Sequence, residues 1–69
     1  MKNIVLKDLL SLIPFNTEIF VMNYRNAVFV GDVNKYKTDS NMRKYDNIPV
    51  ERIDARDGKK MVIDIHIED

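Results

Sequence analysis

Cysteine and tryptophan are missing from this chain of 69 residues, glycine and proline occur twice each, and His66 is the single histidine. Without cysteine there are no disulfides, thiolate zinc sites or thiol nucleophiles. One histidine leaves no His-rich metal site. The only glycines, Gly31 and Gly58, are too far apart to build a phosphate-cradling loop. Net charge is also absent: eleven basic residues balance eleven acidic ones, so no global field steers the chain toward nucleic acid or an anionic membrane. Long apolar runs are lacking too. The opening Met1-Lys2-Asn3-Ile4-Val5-Leu6 runs straight into Lys7 and Asp8, too short for a signal peptide or a membrane span. The expectation is a cytoplasmic protein with no membrane association.

An apolar fraction of 45% supplies one hydrophobic core and argues against disorder. The whole chain, residues 1–69, is expected to form a single small domain. At this length only about 60% of the extended chain's surface is buried on folding. Domains so small lean on a disulfide, a metal or a partner subunit, and only the last remains open here.

Leu6, Leu9, Leu10 and Ile13 stack on one face of a short helix that Pro14 stops. Thr17–Asn23 and Ala27–Asp32 are rich in β-formers, and their polar connection predicts a hairpin with Asn23 or Asn26 in the left-handed conformation. Both runs are nearly continuous rather than alternating, which predicts cover on parts of both sheet faces. Residues 33–47 are polar, and the expectation is that strand two continues to about Lys37. A turn on Asp39-Ser40-Asn41 follows, where Asp39 or Ser40 caps a helical turn through Met42 and Tyr45. Ile48–Ala55 reads as a strand in which Val50 and Ile53 have opposite parity, the mark of a bulge near Glu51-Arg52. Asp57-Gly58 suits a tight turn into a strand whose Met61, Ile63, Ile65 and Ile67 alternate with Val62, Asp64 and His66. The predicted class is α+β, mainly β: a short N-terminal helix on a small curled antiparallel sheet, or a partly open SH3-like barrel, of four to five strands.

No catalytic constellation emerges. Asp64, His66 and Glu68 share one strand face, but same-face neighbours about 7 Å apart suit metal ligation poorly, and a solvated face is the plainer reading. Asp32, Glu51, Asp54, Asp57 and Asp64 offer carboxylates without a pocket to split their proton affinities. Ser11 and Ser40 lack a nucleophile elbow. The expectation is therefore no enzymatic activity, no cofactor, no metal and no small-molecule substrate.

Lys35, Tyr36, Lys37, Arg43, Lys44 and Tyr45 form the one local excess of positive charge, with two rings able to stack on bases or on an extended peptide. The plainer reading has both tyrosines covering the rim of the core. A second binding mode would use an edge strand, either Lys60–Ile67 or strand two, with Asp64 and Glu68 guarding it against indiscriminate pairing. The leading expectation is a non-catalytic protein-interaction module, an accessory or regulatory factor binding a macromolecular partner or itself as a homodimer. The competing expectation is a nucleic-acid-binding protein using residues 35–45.

The order of features is the Leu-rich helix, Asn16-Thr17-Glu18-Ile19-Phe20-Val21, Gly31-Asp32, Ile48-Pro49-Val50-Glu51-Arg52-Ile53, and an Asp-Gly turn into Met61-Val62-Ile63-Asp64-Ile65. Across nearly the whole chain it resembles short uncharacterised proteins of phages, prophages and mobile elements of low-GC Gram-positive bacteria. That resemblance implies a setting in which tiny proteins act by binding host or phage macromolecules, and it transfers no catalytic residue.

Overall fold

Helical spacing gathers Leu6, Leu9 and Leu10 on one buried side, and they form α1 (Leu6–Leu10). The computed structural model, which describes residues 4–56 and 60–67, ends this helix earlier than the leucine pattern does. Leu12 and Ile13 already bond back three residues, to the Leu9 and Leu10 carbonyls at 3.0 and 3.3 Å, ahead of Pro14. Such tightening satisfies the last carbonyls where a proline forbids another turn. Ile13 still packs, half-buried, against the core.

β1 (Glu18–Asn23) and β2 (Asn26–Asp32) make the expected hairpin, with a different turn. Asn23 and Asn26 oppose each other as the last rung, so the turn is Tyr24-Arg25 and Tyr24 takes the left-handed backbone at φ 58°. Where strand two was expected to continue, α2 (Val33–Thr38) begins at once. The Asp32 carboxylate caps it, accepting the Lys35 N–H at 2.7 Å. Val33 and Tyr36, three residues apart, then share its buried side. The helical turn expected through Met42 and Tyr45 is a 3-10 helix, Ser40–Tyr45, capped by Asp39 through the Asn41 N–H at 2.9 Å.

β3 (Val50–Arg56) and β4 (Lys60–Ile65) pair antiparallel, and the register slips between Val50 and Arg52. Glu51 is the extra residue. This is the predicted bulge, and it turns Val50 and Ile53 to the same side. The Asp57-Gly58 turn and Glu68 lie outside the described residues.

The two hairpins join in one open four-stranded sheet of order β2-β1-β4-β3. The class is α+β, mainly β, as expected. Its central pair, β1 and β4, is parallel, a feature that pattern alone did not reveal. α2 and the 3-10 helix carry the chain from β2 to the far edge, so β4 enters the centre running the same way as β1. The last strand is therefore interior, which corrects its reading as an edge; β2 and β3 are the edges. Residues at the start of β3 are further tied to the N-terminal segment, with the Val50 N–H donating to the Ile4 carbonyl at 2.9 Å.

All helical elements lie on one face of the sheet. There α1 leucines meet Ile19, Val21, Ile63 and Ile65 in a single buried cluster, closed by Val33, Tyr36 and Val50. The predicted burial of the leucine stripe against the isoleucines of the last strand is thus observed. Among the described residues no buried side-chain polar atom lacks a hydrogen-bond partner.

Candidate interaction surfaces

Among the described residues the sheet's second face carries no helix. Register places Phe20 beside Val30 on β2 and beside Val62 on β4, with Met22 two residues along the same strand. None of these four side chains belongs to the core or packs against it. Val30 is 54% exposed, and the other three are half-buried. Glu18 and Lys60 are neighbours across β1 and β4 at one end of this apolar strip. Arg52 and Asp64, opposite each other on β3 and β4, close the other end with a 3.2 Å ion pair. Both members reach solvent, so that pair contributes at most about 1 kcal/mol.

The basic-aromatic segment is divided by its own folding. Tyr36 turns inward and is only 3% exposed, its hydroxyl donating to the Met42 carbonyl at 3.0 Å and lying 3.4 Å from Asp46 Oδ1. Burial, reinforced by the neighbouring Asp46 carboxylate, pushes this hydroxyl well above its ordinary pKa. Tyr45 is half-buried, with Lys44 Nζ 5.2 Å from its ring centre. Lys35 lies beside Gly31 at the β2 edge. Lys37 and Arg43 do converge, and Lys7 of α1 joins them around a cavity of about 110 Å³ floored by Leu10 and Tyr36. Lys7 was not legible as a neighbour because it stands some thirty residues away in sequence.

At the hairpin end, His66 is held between two side chains. Its Nδ1 lies 3.1 Å from Glu51 Oε1 and its Nε2 lies 2.8 Å from the Tyr24 hydroxyl. With the Nδ1–H donating to Glu51, Nε2 accepts the tyrosine proton. Asn23 adds to the same tie by accepting the Ile67 N–H at 3.2 Å. These contacts fix the turn, the bulge and the end of β4 to one another. Asp64 pairs with Arg52 and Asp32 caps α2, while Glu51 and Asp64 line one open groove; Asp57 lies outside the described residues. Ser11 Oγ donates to the Asp8 carbonyl at 2.7 Å. Among the described residues no group of three or more His, Asp or Glu is placed to hold a metal, and no helix is long and apolar enough to cross a membrane.

These features define an α+β domain with one helical layer and one bare sheet face. No protein family, curated protein or solved structure matches the chain.

Proposed function

We propose that this chain is a non-catalytic interaction module whose working surface is the bare sheet face, and that a second copy of the chain covers it. The observation that carries the reading is the off-core apolar strip of Phe20, Met22, Val30 and Val62. All-parallel sheets are covered on both faces; here a parallel pair sits at the centre of a mixed sheet, and the described residues supply cover for one face alone. The near-continuous apolar runs of β1 and β2 carry the same demand. The grooves elsewhere on the surface are open, which suits docking better than sequestering a reacting substrate.

Four strands about 4.8 Å apart and five residues deep give a footprint on the order of 300 Å² per copy. Counted over both copies that is about 600 Å², half of the roughly 1,200 Å² total of a stable specific interface, so the dimer is weak and forms at high concentration. Light scattering across a concentration series should show reversible dimerisation, and Val30→Glu should shift the midpoint upward at least tenfold while leaving the circular dichroism spectrum unchanged. A strict monomer at millimolar concentration would end this reading.

A second reading, nucleic-acid binding through residues 35–45, is favoured by the convergence of Lys37 and Arg43. Changing Lys35, Lys37, Arg43 and Lys44 together to Ala should then abolish a salt-dependent association. Tyr36 takes no part in stacking on this reading, because its ring is inside.

A further inference from the structure

We infer that the cavity between α1, α2 and the 3-10 helix is a binding site for one phosphate-class dianion, held by Lys7, Lys37 and Arg43. Three elements each bring one cation to the same cavity of about 110 Å³, and Lys7 comes from some thirty residues before the other two. That volume is somewhat less than the roughly 150 Å³ of an apolar void that takes one benzene ring, and it is ample for a single tetrahedral oxyanion. The chain as a whole is neutral, which makes a local excess of this kind a product of folding rather than of composition.

Among the described residues the only carboxylate lining the cavity is Asp46. Its Oδ1 lies 3.4 Å from the Tyr36 hydroxyl, and among the described residues none of the three cations has a carboxylate partner. Instead Lys37 Nζ rests 5.2 Å from the centre of the Phe15 ring, a weak stand-in for an anion. Three positive charges against one negative leave a surplus of two, which a doubly ionised phosphate balances and a single diester does not. The Tyr36 hydroxyl stays protonated and already has acceptors, so the floor adds no negative charge of its own. Arg43 supplies the planar fork that suits two phosphate oxygens, while Lys7 and Lys37 act as point charges.

The site lies on the helical layer, away from the bare sheet face, and the inference does not depend on dimerisation. The test is a titration of the ¹⁵N-labelled protein with inorganic phosphate at constant ionic strength, above a pH of about 7 where phosphate is mainly dianionic. Saturable amide shifts confined to the surroundings of Lys7, Lys37, Arg43 and Asp46 are expected. Arg43→Gln and Lys37→Gln should each weaken binding about tenfold, and Asp46→Asn should tighten it by removing the one repulsive charge. A nucleoside 5′-monophosphate shifting the same residues would place the phosphate on a larger ligand; its failure beside a positive phosphate result would assign the free ion. Shifts that do not saturate, or that the three variants leave unchanged, would overturn the inference. So would equal occupancy by an oligonucleotide without terminal phosphates, which would assign the cations to a diester backbone.

Discussion

The Tyr36 hydroxyl, bonded to Met42 and close to Asp46, ties α2 to the 3-10 helix through a ring that also packs edge-on against Phe29 at 5.3 Å. Tyr36→Phe keeps the ring and removes the donor, leaving the Met42 carbonyl to find another partner. The expected cost is about 1 to 2 kcal/mol in urea unfolding. The raised pKa adds a pH signature. An unfolded tyrosine ionises near 10.0, while the folded one holds its proton to higher pH. Its contribution to stability is therefore complete below pH 10.0 and is lost progressively as pH rises from there toward the folded value. Comparing Tyr36→Phe with the parent across this alkaline range should show a shallower decline in the variant by up to one proton. An unchanged slope would mean that the hydroxyl is open to water.

Among the elements, α1 shows most clearly how much depends on tertiary burial. Five helical residues cannot hold a helix in water, so its leucines must supply the reason for it to exist. Leu6 is fully buried, and Leu6→Ala should cost about 2 to 5 kcal/mol. A domain this small has a total stability of roughly 3 to 10 kcal/mol, so the variant should lose a large share of it, read as a lowered urea midpoint by circular dichroism. α2 depends on a cap in the same way: Asp32→Ala should lower stability by about 1 kcal/mol and Asp32→Asn by much less. The periodicity of α1 and the parity clash at Val50 and Ile53 were legible because each is a local rule read over a few residues. α2 was not. Its signal was only a capping Asp32 with Val33 and Tyr36 three apart, and it was outweighed by the β-rich run before it. The turn escaped for another reason, since Asn23 is used to bind Ile67 and leaves the left-handed position to Tyr24. That conformation costs about 1 to 2 kcal/mol in a residue other than glycine, and the long-range contact of Tyr24 with His66 helps to offset it. No local pattern encodes that contact.

For the whole molecule, the decisive fact is the order of the strands. Hydrophobic alternation identifies which residues share a face, but it does not say that β4 enters beside β1, and so it could not show that Phe20 and Val62 form one strip. In the basic segment, helical winding sends Lys35, Tyr36 and Lys37 in different directions, a separation that their adjacency in sequence hides. For the dimer proposed above, strand order also suggests one axis. A two-fold axis lying between β1 and β4, along the strands, sets each β1 residue opposite the β4 residue of the same rung in the other copy. Phe20 then meets Val62 twice, and Glu18 meets Lys60 twice. Reversing one charge replaces two attractions by two repulsions, whereas reversing both restores the pattern. Glu18→Lys and Lys60→Glu alone should each weaken dimerisation, and the double exchange should recover most of the loss, as read by sedimentation at low and high salt. The difference among the variants should shrink as salt rises, because these charges lie at the solvent-exposed end of the strip. If the double exchange is as weak as the single ones, Glu18 and Lys60 do not face each other, and the axis must be placed elsewhere on the face.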